Sequence, residues 1–280
     1  ACLGVTMANW SAKNPYMSKV TECYLLNGEG SRKETRHVVF DLGDSGLNYK
    51  AGDALGVISE NPENTVDLLI EAAGWDKDQM VSTRNGERTL KEALKKDFEI
   101  HRVNKKFVNS LSGKVTASGL RITVELIERY RESVAGSGSS WMGGDSPLES
   151  KLLSSIPGDD PIGRVESLTT DGKAMEDYIW SRDYIDVLRD FDVNYSVEEF
   201  IELADKLKPR LYSIASSPDA HPGLVELTVA IVRYSHHGRE RGGLCTVYMA
   251  DEVEINNTDV GVFMSPTKSF VLPKDTSVDI

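Results

Sequence analysis

The segment Pro209–Ser217 places a positive charge, a flat ring and a hydroxyl within four residues. On an extended strand, successive side chains alternate between faces, so Arg210 and Tyr212 point the same way. Arginine offers phosphate a charge-assisted fork, a tyrosine ring offers a stacking surface, and the Ser213 hydroxyl can reach a heteroatom at a ring edge. The pattern is typical of a site for a ligand with a phosphate and an aromatic system. A half-buried strand with a surface arginine and a core tyrosine is the structural alternative.

Two nearby segments could serve the same kind of ligand. Gly242 and Gly243 precede a short helix, where glycine allows close backbone approach and the first helical N–H groups attract phosphate. The segment Thr228–Tyr234 is a predicted strand that ends in an aromatic ring able to stack on a purine. A plain turn with a helix cap, and an ordinary core strand, are the respective alternatives.

Composition narrows the classes of partner. The 280-residue chain carries a formal charge of −12, which disfavours binding to nucleic acid or to an anionic membrane. Its three cysteines, Cys2, Cys23 and Cys245, are far apart, so we expect no disulfide framework and no metal site. Free thiols favour a reducing compartment such as the cytoplasm, and the sequence contains no apolar run of about 18 residues that could cross a membrane.

The elements follow the order β, then α, then β. This order predicts an antiparallel barrel interrupted by a helical insertion, and the chain has no GxGxxG fingerprint of a Rossmann unit. Predicted strands are Val20–Leu26, Thr35–Leu42, Ala54–Ser59, Arg210–Ala215, Val225–Tyr234, Val260–Met264 and Phe270–Leu272. Predicted helices include one opening at Asn61-Pro62, then Ile122–Tyr130, Met175–Phe191, Val197–Leu207 and Thr246–Glu252.

Taken together and in this order, the three ligand-type segments resemble the FAD-binding region of the diflavin reductase family. Lys13–Tyr16, Asp41–Val57 and Ser269–Pro273 extend the likeness, and Asp41–Val57 is most similar to the sulfite reductase branch. The resemblance implies a mainly β fold with an α insertion. It implies an antiparallel Greek-key FAD-binding barrel of the ferredoxin-NADP reductase type (13–60 and 208–280). It also implies a helical connecting domain (61–207) with a loose loop at 136–163.

The resemblance also implies roles for individual residues. Arg210 holds the FAD pyrophosphate, Tyr212 stacks on the flavin, and Ser213 lies at the reactive ring edge as the catalytic residue. Tyr234 contacts the adenine, and Arg182 is a second phosphate-binding arginine. The remaining implied FAD contacts are Leu211, Thr228, Val229, Ala230, Gly242, His101 and Trp180, with backbone amides of Gly243, Leu244, Cys245 and Thr246 facing the phosphates.

The implied function is that of an FAD-binding electron-transfer module of an NADPH-dependent oxidoreductase. Electrons pass from NADPH through FAD to FMN and on to a haem-containing acceptor. FMN and NADPH belong to flanking FMN-binding and NADP-binding domains, which we expect outside this chain, so we expect FAD binding with little NADPH oxidation. Two alternatives stay open: the FAD module of a P450- or nitrate-type diflavin reductase, and a non-catalytic scaffold barrel.

Overall fold

The computed structural model describes residues 9–115, 161–268, 270 and 277. The chain divides into two compact units. The first takes in Ala1–Asp67, Lys77–Glu99 and Lys206–Ile280, and the second takes in Leu68–Asp76 and Ile100–Asp205. The division predicted from sequence (13–60 with 208–280, and 61–207) stays a prediction. The predicted helix Ile122–Tyr130, nearly all of the 136–163 loop and most of the predicted strand Phe270–Leu272 lie outside the described residues.

The first unit contains a six-stranded antiparallel sheet in the order β6-β3-β10-β1-β2-β7. A bridge between Ile214 and Leu227 joins the two edge strands and closes the sheet into a barrel, as the sequence predicts. The strands are β1 Tyr16–Leu25, β2 Glu34–Asp41, β3 Ala54–Ile58, β4 Met80–Thr83, β5 Gly86–Thr89, β6 Arg210–Ser213, β7 Leu224–Ile231, β8 Arg233–His236, β9 Arg239–Gly242 and β10 Asp259–Ser265.

Strict alternation builds the barrel core. Along β7, the buried residues Val225, Leu227 and Val229 alternate with more exposed neighbours. Val38 and Phe40 on β2 are fully buried on the same inner face. Each such side chain contributes about 1.5–3 kcal/mol by leaving water, so the alternation fixes which residues each strand presents outward.

The helices interrupt the sheet between β3 and β6, which confirms the predicted helical insertion. They are α1 Glu63–Ala73, α2 Leu90–Lys96, α3 (helical residues 105–115), α4 Pro161–Thr170, α5 Gly172–Trp180, α6 Tyr184–Phe191 and α7 Val197–Leu203. A further short helix, α8 Leu244–Val247, follows β9 and leads into a π-helical turn at Tyr248–Glu252 before β10. None of the helices in the described ranges has the length and apolar content needed to cross a membrane.

Several predicted elements are wrong in their extent. The predicted helix Met175–Phe191 is two helices, because a capping box between Asp183 and Asp186 starts α6 afresh. The predicted strand Val225–Tyr234 is broken at Val232, whose carbonyl accepts from the Gly243 amide instead of continuing the ladder.

Three further elements differ from the prediction. The predicted helix Val197–Leu207 ends at Leu203, because Ala204 is extended. The predicted helix Thr246–Glu252 is the end of α8 followed by the π-helical turn. The hairpin of β4 and β5 was not predicted, because its strands are only four residues long.

An aromatic cluster fills the core of the second unit. Phe107 on α3 is fully buried, and its ring centroid lies 4.8 Å from that of Tyr184 and 4.5 Å from that of Tyr195. Phe200 lies 5.0 Å from Tyr184, and Trp75 lies 4.9 Å from Phe200. Tilted and edge-to-face pairs of this kind add to the free energy of area burial, so this unit has an ordered core of its own.

Candidate functional site

Strand β6 carries Arg210 and Tyr212, which the sequence predicts to contact a ligand. Arg210 pairs with Val57 and Tyr212 with Leu55, and both partners are fully buried residues of β3. Residues directly opposite in a sheet share a face, so Arg210 and Tyr212 lie together on the inner side of β6, as the alternation predicts. Ser213 lies on the opposite, outer side and is exposed.

The Arg210 guanidinium is held by two neighbours. Its Nη2 donates to Oε2 of Glu99 at 2.8 Å, and its Nη1 donates to the Lys208 carbonyl at 2.8 Å. The Arg210 side chain is 38% exposed, whereas the Glu99 side chain is 14% exposed. The other Glu99 oxygen, Oε1, is buried with no hydrogen-bond partner in the described part of the chain. The cationic group is therefore oriented by a carboxylate and still reaches solvent.

Tyr212 packs half-buried against the barrel core beside Cys245. Burial raises the pKa of the Tyr212 phenol far above its usual value, and the adjacent thiol adds to that shift. Burial likewise raises the pKa of Cys245, which is 2% exposed. The thiol is a poor nucleophile in this setting. Cys245 can offer a ligand its backbone but not its sulfur.

The glycine turn is tightly packed. A Cβ on Gly242 would lie 2.3 Å from Cγ2 of Val247, and a Cβ on Gly243 would lie 2.6 Å from Oγ1 of Thr246. The Gly243 amide donates to the Val232 carbonyl at 2.9 Å, and the Thr246 hydroxyl donates to the Gly243 carbonyl at 3.0 Å. The Gly243 amide therefore already has a partner in this arrangement, and the expectation that it faces phosphate stays a prediction.

The amides in the first turn of α8 differ from the Gly243 amide in their hydrogen bonding. Gly243 stands at the N-cap and supplies no side-chain hydrogen bond. The first amides of a helix have no partner within the helix, so those of Leu244, Cys245 and Thr246 stay the candidates for an anion.

Strand β7 divides its three predicted contacts between two faces. Thr228 and Ala230 are exposed on the outer face, whereas Val229 is 2% exposed in the barrel core. The Val229 side chain therefore cannot line a ligand site, and only its backbone could take part. The expectation that these three residues line the cofactor does not specify side chain or backbone, and it stays a prediction.

Apolar side chains remain on the surface around this region. Leu211 is 57% exposed, Val232 is 49% exposed and Tyr234 is 39% exposed. Large exposed apolar groups near a cationic side chain and an uncapped helix start suit a ligand that carries both rings and phosphates. The donors and surfaces present here fit FAD.

The other three predicted residues belong to the second unit. Arg182 Nε donates to Asp190 Oδ2 at 2.8 Å, and its guanidinium lies 4.1 Å from the centre of the Tyr178 ring. Trp180 is 77% exposed. The amide of Val103, two residues after His101, donates to the Arg182 carbonyl at 3.2 Å, which brings the His101 segment beside Arg182.

Sequence reasoning missed the ion pairs that hold these groups. Glu99 lies 111 residues from Arg210 in the chain. Arg233, at the start of the hairpin that carries Tyr234, makes two hydrogen bonds to Asp251 at 2.7 and 2.8 Å and two to Glu34 at 2.8 and 3.4 Å. These contacts lower the pKa of Glu34 and of Asp251. No local pattern signals partners so distant in sequence. No cluster of three metal-ligating side chains occurs within the described ranges.

Comparison with known proteins agrees with this geometry. The model of the FAD binding domain family matches residues 8–120 and 164–248. The sulfite reductase (NADPH) flavoprotein alpha-component of Bacillus subtilis is 34% identical over 98% of this chain, and its counterpart from Mannheimia succiniciproducens is 31% identical over 97%. The chain spans 38% of the length of each of these curated relatives. On the family match and the barrel that carries Arg210 and Tyr212, the chain belongs to the FAD binding domain family.

Proposed function

We propose that this chain is the FAD-binding, electron-transferring part of an NADPH-dependent reductase of the sulfite reductase flavoprotein type. The relatives' names supply NADPH and sulfite reduction, and the family supplies FAD. The observation that carries the proposal is the cluster on the inner side of β6, where Arg210, Tyr212 and Cys245 lie together. The start of α8, which includes Cys245, is the second part of that cluster.

The residues of the chain bind and orient the cofactor in this proposal. Arg210 contributes a fixed positive charge to the pyrophosphate, and the first amides of α8 add further donors. Tyr212 gives an aromatic surface, Ser213 gives a hydroxyl at the outer side of β6, and Tyr234 gives a ring for the adenine. FAD, when bound, supplies the redox centre that takes up a hydride and releases electrons singly.

The pairing of Arg210 with Glu99 has a role in this scheme. A free arginine side chain samples many rotamers, and fixing it costs conformational entropy on binding. The two hydrogen bonds, to Glu99 and to the Lys208 carbonyl, restrict it beforehand. The guanidinium keeps further N–H groups for a phosphate, because it carries five donors in all.

We propose the finer assignments on the same basis. In this proposal NADPH delivers electrons to FAD, and FMN and a haem-containing acceptor receive them. The net charge of −12 suits docking to a basic protein surface. NADPH mixed with the chain and FAD tests how much of the reaction resides in this part. Slow or no bleaching of the flavin absorbance is expected, and rapid stoichiometric bleaching would contradict that expectation.

Reconstitution with FAD tests the binding site. The purified chain is incubated with FAD, unbound FAD is removed, and the visible spectrum and the dissociation constant are measured. Arg210→Ala removes a charge-assisted contact, worth about 1.5–3 kcal/mol, so the dissociation constant is expected to rise at least about tenfold. Tyr212→Ala is expected to weaken binding and to change the flavin fluorescence, because a stacked ring quenches it.

Matched controls separate the site from general damage. Arg32→Ala removes an arginine from an exposed turn, and Tyr24→Ala removes a tyrosine that is 48% exposed on β1. Both controls are expected to leave the FAD dissociation constant within about twofold of the parent value. Equal weakening by the controls would contradict the site. A folded parent that stays colourless at excess FAD would instead favour the scaffold alternative.

A further inference from the structure

The first unit contains a cavity of about 760 Å³ that the proposed function does not use. Its walls come from the segment before β1, the end of β3, the β4–β5 hairpin and the segment before β6. None of the residues assigned above to FAD lines it. The volume lies in the range of about 300–1,000 Å³ that small-molecule sites occupy.

The charge of the lining is opposite to that of the chain. The basic residues on the walls outnumber the acidic ones, Glu60 and Asp259, whereas the chain as a whole has a formal charge of −12. The basic residues are Lys13, Arg84, Arg88, Lys96 and Lys206. A local reversal of sign in a concave site concentrates ligands of the opposite charge, here anions.

Both acidic residues of the wall are already neutralised. The Glu60 carboxylate lies 3.4 Å from Nζ of Lys95 and 3.6 Å from Nζ of Lys96. The Asp259 carboxylate lies 2.7 Å from Nζ of Lys19. Neither acid is therefore left over to balance the other cations of the cavity.

The remaining cations differ in whether they are paired. Arg88 forms an ion pair with Asp97 at 3.3 Å. Lys13, Arg84 and Lys206 are exposed, and none of them forms an ion pair within the described residues. They come from three separate segments of the chain and converge on one cavity. Cations gathered in this way repel one another, and a bound anion would relieve that repulsion.

The walls also offer an apolar surface. Pro15, Ile58 and Pro209 line the cavity together with Met17, which is 51% exposed. A bare inorganic anion gains nothing from such a surface. A molecule with a carbon skeleton beside its anionic group would bury apolar area there.

We propose that this cavity binds a small organic phosphate at a site separate from that of FAD. Lys13, Arg84 and Lys206 hold the phosphate charge, and the carbon skeleton lies against Pro15 and Ile58. The Lys13–Tyr16 segment, prominent in the sequence but without a role at the FAD site, thereby takes part in ligand binding. The proposal stands on the lining and its charges and does not depend on the proposed function.

Calorimetric titration with ADP and with inorganic pyrophosphate tests the proposal. The titration is run at low ionic strength on the Arg210→Ala chain, which lacks one FAD phosphate contact, and again on the parent chain saturated with FAD, in which the FAD site is occupied. Both preparations are expected to bind ADP more tightly than pyrophosphate, and added salt is expected to weaken both. Equal affinities would overturn the organic part of the proposal, and no binding by either preparation would overturn all of it.

Charge-reversal variants of the cavity lining test where the ligand binds. Lys13→Glu, Arg84→Glu and Lys206→Glu are each expected to raise the ADP dissociation constant at least about fivefold, because each turns an attraction into a repulsion. All three positions are exposed, so folding is expected to survive, and circular dichroism checks it. Arg32→Glu and Lys33→Glu change the charge equally at an exposed turn and are expected to have less than a twofold effect. Equal effects of the two sets would overturn the assignment.

Discussion

The two arginines predicted to hold FAD phosphates have different surroundings. Each makes a 2.8 Å ion pair, Arg210 with Glu99 in the first unit and Arg182 with Asp190 in the second. The Arg210 side chain is 38% exposed, whereas that of Arg182 is 22% exposed. Arg182 also lies over the Tyr178 ring, whose hydroxyl donates to Asp190 at 2.8 Å.

We propose that this difference separates a ligand-binding role for Arg210 from a structural role for Arg182. Asp190 receives hydrogen bonds from both Tyr178 and Arg182, so the three side chains form a closed network. Glu99 has one oxygen on Arg210 and the other buried without a partner in the described chain. Each arginine makes two hydrogen bonds, Arg182 to Asp190 and the Tyr178 carbonyl, and Arg210 to Glu99 and the Lys208 carbonyl. The difference therefore lies in the lower exposure of Arg182 and in the ring beside it. An arginine near a predicted site is the same signal in the sequence at both positions, but the surroundings of Arg210 and Arg182 differ in the structure.

The largest expected effect is on FAD affinity. Arg210→Ala is expected to raise the FAD dissociation constant about tenfold or more, and Arg182→Ala is expected to raise it by a smaller factor. Titration of each apo variant with FAD, followed by flavin fluorescence, measures both. A greater loss of affinity for Arg182→Ala than for Arg210→Ala would reverse the comparison.

The stability effects are expected in the opposite order. Arg182→Ala removes a partly buried ion pair and a cation–π contact and leaves Asp190 with one partner fewer. We expect it to lower the free energy of unfolding by about 1–3 kcal/mol. Arg210→Ala is expected to cost less, about 1–2 kcal/mol, because the guanidinium is more exposed; the loss stays measurable since Glu99, which is 14% exposed, is left without its cation. Urea unfolding without FAD compares the two, and equal losses would remove the distinction.

The barrel and the pairing partners differ in how far the sequence could predict them. Alternation along β7 and the shared face of Arg210 and Tyr212 depend on a period of two, which is local information. The break at Val232 depends on Gly243 and Thr246, which lie beyond the strand in the chain. The Arg210–Glu99 pair depends on a bridge between Phe98 and Lys206, which joins two segments that are far apart in the chain.

The family resemblance predicts which residues contact FAD, but it does not predict how exposed their side chains are. It could not indicate that Val229 faces the core, because a list of contacts does not say whether side chain or backbone makes them. It also could not indicate that the Gly243 amide is already paired within its own turn. Such facts follow from packing in three dimensions.

The tyrosine beside each arginine gives a smaller, pH-dependent effect. Burial is the main cause that raises the pKa of Tyr178 and of Tyr212 above the usual value of 10.0, with Asp190 and Cys245 adding to it respectively. A raised pKa favours the protonated folded state, so this stabilisation is complete below pH 10 and is lost as the pH rises above it. Unfolding measured at about pH 9 and about pH 11 is expected to show a loss of roughly 1 kcal/mol per tyrosine.

Phenylalanine variants test whether these two tyrosines cause the loss of stability at alkaline pH. Tyr178→Phe and Tyr212→Phe are each expected to make stability less dependent on pH in this range, since the replaced ring has no proton to lose. Tyr178→Phe is expected to lower stability at neutral pH as well, because it removes the hydrogen bond to Asp190. Tyr24→Phe, at a side chain that is 48% exposed, is the control for the substitution itself. An unchanged slope in both site variants would contradict the assignment.

The smallest expected effect concerns the charge of Glu99. Glu99→Gln keeps an oxygen that can accept from Arg210 and removes a negative charge close to the proposed pyrophosphate contact. The FAD dissociation constant is expected to fall by about two- to fivefold, since a weaker electrostatic competitor is left beside the arginine. Asp190→Asn is the matched change at Arg182 and is expected to act on unfolding more than on FAD affinity. Weaker FAD binding in Glu99→Gln would show that the carboxylate acts chiefly to orient Arg210. The difference between Arg210 and Arg182 would then lie in the positioning of the guanidinium and not in its available charge.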